Sequence, residues 1–144
     1  MIDYLKLDNQ LCFALYTANR KMTSQYKPLL DPLKLTYPQY LVMLVLLEED
    51  GITVKSLGEK LYLDSGTLTP LLKRMEKTGY VVRKRSDEDE RKVLIHLSEE
   101  GKALESSLEQ VPLNLCIDVD IEKLVGLRES LNELIETLSC QASK

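Results

Sequence analysis

A mainly α-helical fold carrying one small β-hairpin is predicted by three features of residues 53–98. Leu68, Leu71, Leu72 and Met75 recur at spacings of three and four, one apolar stripe on a helix that Gly79 is suited to stop. Tyr80–Arg85 and Lys92–Leu97 are β-branched and aromatic enough to pair as strands, and the polar loop Ser86-Asp87-Glu88-Asp89-Glu90-Arg91 between them must project as a wing. A shorter helix over Lys55–Tyr62, with Leu57 and Leu61 turned inward, stands just ahead of the stripe and supports it. Helix, turn, longer helix and hairpin in that order make a winged helix-turn-helix, an arrangement that reads double-stranded DNA.

The remaining elements follow in chain order. A first helix is expected to start after Asp3 or Asp8 and to run to about Leu30, where Asp31-Pro32 stops it, with Leu11, Leu15, Ala18, Met22, Tyr26 and Leu29 on one face. A second starts at Tyr37-Pro38, with the proline in its first turn, carries Leu41, Leu44, Val45 and Leu47, and ends in Glu48-Glu49-Asp50-Gly51. Ile52-Thr53-Val54 is a short extended piece able to pair with the wing. The start of the stripe helix is open: either its cap lies near Thr67, or it begins at Asp64 and is bent at Pro70. After the wing, Ser98 is a good N-cap with Glu99 and Glu100 behind it, opening a helix through Leu104, Leu108 and Val111 to Pro112. A last helix spans about Asp120 to Leu138, with Leu124, Leu127, Leu131, Leu134 and Leu138 spaced 3, 4, 3, 4. That seam is narrow and suits another helix. Residues 1–144 therefore form a single domain: 37–98 the winged part, 1–36 and 99–144 the helices that join two subunits. Two copies would set two stripe helices on successive major grooves.

Charge agrees with contact to a polyanion on one face. From Thr53 to Ser98 ten Lys or Arg face seven Asp or Glu, a local balance of +3 in a chain of net charge −4, so the rest carries −7. Opposite the apolar stripe stand Thr67, Thr69, Lys73, Arg74 and Lys77: hydroxyls suited to bases and phosphates, cations suited mainly to phosphates.

Composition narrows the class. At 144 residues, 44% hydrophobic and 29% charged, the chain suits one folded core. Its longest apolar run, Tyr40 to Leu47, is too short for a membrane span, and Met1 leads directly into Asp3, Lys6 and Asp8 instead of a secretory signal, so a cytoplasmic location is expected. The three cysteines, Cys12, Cys116 and Cys140, would be reduced there; none is spaced as a zinc ligand pair and His96 is the single histidine, so neither a metal nor a cofactor is expected.

DSGTLTPLLKRME followed by RKRSDEDERKVLIHLSEEG resembles the MarR family of bacterial winged-helix repressors, whose wing carries an Asp-x-Arg pair, here Asp89 and Arg91. The run LDNQLCFALYTANRKMTSQYKPLLDPLKLTYPQYLVML is similar to the organic-hydroperoxide-sensing branch, usually called OhrR, and the likeness covers nearly the whole chain. It implies DNA contacts by Ser65, Gly66, Thr67, Thr69, Pro70, Lys73 and Arg74 in the major groove, with Asp89 and Arg91 at the wing and Arg91 entering the minor groove.

On residues alone, Cys12 on an apolar helix face is most often a small core residue. The helix start, Asn9 or Gln10 as nearby donors, and Tyr16 one turn along could instead favour a thiolate. The resemblance implies the sensing role: Cys12 reacts with organic hydroperoxide while Tyr16, Tyr26 and Tyr37 surround it, some reaching from the other subunit. It also implies a C-terminal resolving thiol from the opposite subunit, for which Cys116 has about the right placement; the rival scheme caps Cys12 with a small cellular thiol. Different functions remain to be weighed: a thiol peroxidase using Cys12 and Cys116, disfavoured because nothing resembles such a scaffold; a repressor released by a small phenolic ligand held among the tyrosines; and a winged helix that binds protein.

Overall fold

The structure, a computed structural model, describes residues 3–115 and 117–142. Two 3-10 turns, Asp3–Leu5 and Leu7–Asn9, precede α1, Leu11–Leu30. The first helix therefore begins later than Asp3 or Asp8 suggested. The side chain at its cap, Gln10, is turned back to the Tyr4 carbonyl, and Asn9 likewise donates to the Asp3 carbonyl at 2.8 Å. A 3-10 turn, Asp31–Leu33, leads into α2, Tyr37–Glu48. Thr36 caps that helix in a capping box: the Gln39 N–H donates to Thr36 Oγ1 at 3.4 Å and the Thr36 N–H to Gln39 Oε1 at 3.0 Å.

The winged part follows the expected order. β1 (Ile52–Thr53), α3 (Val54–Leu61), α4 (Ser65–Thr78), β2 (Val81–Arg85) and β3 (Val93–Leu97) succeed one another. The sheet is antiparallel with order β1-β3-β2; Ile52 faces Ile95, Val81 faces Leu97 and Arg85 faces Val93. The Leu97 N–H donates to Asp50 Oδ1 at 2.7 Å, which ties the end of α2 to β3. Gly79 ends α4 at φ +95°, a left-handed conformation that a side chain would strain.

After β3 the chain departs from one continuous helix. Ser98 caps α5, Glu99–Lys102, and the chain then tightens at Ala103 and Leu104 before α6, Glu105–Leu113. Leu104 N–H bonds back to the Gly101 carbonyl at 3.2 Å, a three-residue step in place of the helical four. α5 is held against the foot of the wing: Ser98 Oγ donates to the Gly79 carbonyl, and a Cβ at Gly101 would collide with the Tyr80 carbonyl oxygen. α7, Ile121–Ala142, closes the chain.

One core lies among α2, α3, α4, the sheet and α6, with Met43, Leu46, Leu57, Leu68, Leu72, Met75, Ile95 and Leu108 almost fully buried. The terminal helices contribute little to it. On α1 only Leu30 is buried, while Leu11 and Met22 of the expected apolar face are exposed; on α7 Ile121, Leu127 and Leu138 are exposed. Among the described residues no helix is long and apolar enough to cross a membrane.

Candidate nucleic-acid interface and thiol site

The open question at the start of α4 is resolved in favour of Asp64. Its Oδ1 accepts the Thr67 N–H at 2.7 Å, and that bond holds the carboxyl below its ordinary value. Pro70 stands inside the helix, where it cannot donate to the Gly66 carbonyl. Leu68, Leu71, Leu72 and Met75 are buried, and the opposite face presents Ser65, Gly66, Thr67, Pro70, Lys73 and Arg74 to solvent, with Thr69 half-buried.

The wing tip is shaped by Asp89. Its Oδ1 accepts the Arg91 N–H at 3.0 Å while its carbonyl accepts the Lys92 N–H at 2.9 Å, a local turn of the kind aspartate favours. The same carboxylate lies 3.7 Å from Arg91 Nε, and the Arg91 side chain is 95% exposed. Asp89 thus builds the turn that displays Arg91. Arg83 on β2 pairs with Glu76 on α4, locking wing to helix.

The residues expected to form a thiol site lie at opposite ends of α1. Cys12 is exposed in the first turn, and Tyr16, one turn on, is exposed with the Arg20 guanidinium 5.3 Å from its ring centre. Asn9 and Gln10, expected as donors to the sulfur, are instead committed to the Asp3 and Tyr4 carbonyls. Tyr26 and Tyr37 lie at the other end of α1, with ring centres 4.8 Å apart. Tyr40 completes a cluster, 5.6 Å from Tyr26 and 6.0 Å from Tyr37. The sequence reading left Tyr40 out, although its position three residues after Tyr37 on one helix was the available signal. Burial, and then the neighbouring Tyr37, raise the pKa of Tyr26, so its hydroxyl stays a proton donor at neutral pH. A rise of about 1.5 Å per residue places Tyr26 about 21 Å along the helix from Cys12. One chain therefore brings Cys12 together with Tyr16 but not with Tyr26 or Tyr37. Cys116 lies outside the described residues; Cys140, near the end of α7, is exposed.

An exposed reading helix locked to a charged wing over a three-stranded sheet defines the winged-helix class. Residues 24–108 match the family described as Transcriptional regulator SarA/Rot. Over 139 residues, 94% of each chain, the sequence is 55% identical to the organic hydroperoxide resistance transcriptional regulator of Bacillus subtilis. Two structures of AbfR, a protein of Staphylococcus epidermidis, share the fold. The reduced, DNA-bound form superposes with a TM-score of 0.84 at 35% identity over 96% of both chains. The disulfide form gives 0.67 at 37% identity, over 92% of this chain and 95% of that one. This chain belongs to the MarR family of winged-helix transcriptional regulators, in the organic-hydroperoxide branch.

Proposed function

We propose that the protein is a cytoplasmic redox-sensing repressor that holds operator DNA as a homodimer and releases it when an organic hydroperoxide oxidises Cys12. The observation that carries this reading is the split site: an exposed sulfur at one end of α1, and its tyrosine donors about 21 Å away at the other. A second copy, packed through the exposed leucines of α1 and α7, supplies Tyr26 and Tyr37 to the first copy's Cys12. Ser65, Gly66, Thr67, Thr69, Pro70, Lys73 and Arg74 meet the major groove, and Asp89 presents Arg91 to the minor groove.

The Cys12 thiolate attacks the outer oxygen of the hydroperoxide. The O–O bond breaks, a sulfenic acid forms, and the alkoxide leaves as an alcohol after taking a proton from water. The Cys116 thiol of the opposite chain then displaces hydroxide from that sulfur, closing a disulfide and releasing water. Closing the bond draws on α1. Its far end is tied to the reading head where Tyr80, at the foot of the wing, donates its hydroxyl to the Leu33 carbonyl at 2.7 Å. Reading helices held about 34 Å apart tolerate little displacement. The better superposition on the reduced, DNA-bound relative than on its disulfide form accords with two such states. Release by a phenolic ligand is less well supported: the groove bounded by Tyr26 and Tyr37 holds about 240 Å³, below the roughly 300 Å³ of ordinary ligand pockets.

The test is operator band shifts with cumene hydroperoxide, followed by intact mass without reductant. Reversible release and a species of twice 16.5 kDa are expected from the wild type, and retained binding from Cys12→Ser. A small mass increment would replace the disulfide by a capped or oxidised single thiol, and release of Cys12→Ser would end the proposal.

A further inference from the structure

A cleft of about 590 Å³ runs between the start of α3, the face of α4 and the wing, lined by Lys55, Ser56, Thr69, Arg83, Arg91 and Lys92 among others. Four of these are cations, and Glu59 is the single acid on its walls. Arg83 and Arg91 have carboxylate partners in Glu76 and Asp89, whereas Lys55 and Lys92 are exposed and have no ion-pair partner among the described residues. Thr53 Oγ1 accepts the Ser56 N–H at 3.0 Å, so the capped first turn of α3 opens on the same cleft.

The geometry of duplex DNA says what belongs there. A helix in the major groove and a wing in the adjacent minor groove stand on opposite sides of one sugar-phosphate strand, which must pass between them. The space between α4 and the wing is this cleft, and its excess of positive charge matches that strand.

We infer that the cleft is a clamp for backbone phosphates of one operator strand, with Lys55 from α3 and Lys92 from the wing as its unneutralised cations. This rests on the DNA-binding reading above and extends it to residues outside the reading helix and the wing's Asp-x-Arg pair. α3 becomes a contact element as well as a support. Because phosphates carry no sequence, the clamp adds affinity and orientation without selectivity. Thr69, half-buried at the inner edge of the cleft, marks where the strand leaves the reading helix.

Operator and random-sequence duplexes are titrated against KCl with the full-length dimer, wild type and the variants Lys55→Gln, Lys92→Gln, the double variant and Lys102→Gln, which does not line the cleft. Because each substitution removes one cation from both subunits of the dimer, each cleft variant should lower the slope of log K against log salt by about 1.8, and the double variant by about 3.6, equally for both duplexes. Lys102→Gln should match wild type, and thermal melts should be superimposable. Unchanged slopes in Lys55→Gln and Lys92→Gln, with Arg91→Ala still weakening binding, would overturn the clamp and leave the DNA reading standing. A loss confined to the operator duplex would also overturn it, since that marks base recognition. Absence of salt-dependent binding by the wild type would instead sink the DNA reading itself.

Discussion

Leu72 of α4 and Leu127 of α7 both belong to apolar stripes at helical spacing, yet the first is 1% exposed and the second 57%. The winged module closes a core around its stripe with α2, the sheet and α6. The terminal helices leave theirs bare: Leu11, Met22, Ile121 and Leu138 join Leu127 in solvent. Periodicity makes a helix amphipathic in both places, but only tertiary packing says which apolar face the chain itself covers. The difference separates a part that folds around its own core from a part whose apolar surface the chain leaves uncovered, the surface through which the proposed dimer would pack.

The largest effect expected from breaking this contrast is in the core. Leu72→Ala should cost about 2–5 kcal/mol in urea unfolding, because a nearly sealed site cannot collapse around the missing atoms. Leu127→Asp should leave secondary structure intact and weaken self-association by roughly 2 kcal/mol or more, since two unpaired carboxylates would enter the interface. Sedimentation should then show the 16.5 kDa chain at concentrations where the wild type pairs; an unaltered dimer would remove α7 from the interface. Thr36→Ala, which opens the capping box between the tyrosine cluster and the core, should cost about 1 kcal/mol by urea titration. The smallest effect concerns pH. The folded pKa of Asp64 lies below its ordinary 3.8, so its contribution is present above that value and fades as pH falls through the folded one. Asp64→Asn, which keeps an acceptor for the Thr67 N–H, should flatten that part of the acid stability profile.

Much of the winged part was legible because several signals agreed there. Gly79 after Met75 gave the end of α4, and Ile52-Thr53 with two β-branched runs gave the three strands. At Pro70 the signals conflicted, since a proline favours a first turn and Asp64 favours a cap; the 2.7 Å bond to Thr67 decided it. The break between α5 and α6 was not legible, because Ala103-Leu104 carries no breaker, and neither was the tertiary contact beside it, where Gly101 is seated on the Tyr80 carbonyl. The Thr36–Gln39 box was readable and was missed. Around Cys12, spacing identified the Tyr16 neighbour but misassigned Asn9 and Gln10, whose amides close the preceding 3-10 turns. Spacing put Tyr40 one turn from Tyr37 on α2, but it could not show that both rings meet Tyr26 of α1.

The claim that the thiol site is assembled from two chains is tested most directly by mixed dimers. Chains carrying Cys12→Ser are exchanged with chains carrying Tyr26→Phe and Tyr37→Phe, and the rate of Cys12 oxidation by cumene hydroperoxide is followed. If tyrosines of one chain serve the sulfur of the other, each mixed dimer contains one site with both lesions and one intact site, so wild-type oxidation rates reappear in half of its sites. Oxidation no faster than in the double tyrosine variant alone would show that each chain serves its own sulfur and would contradict the account.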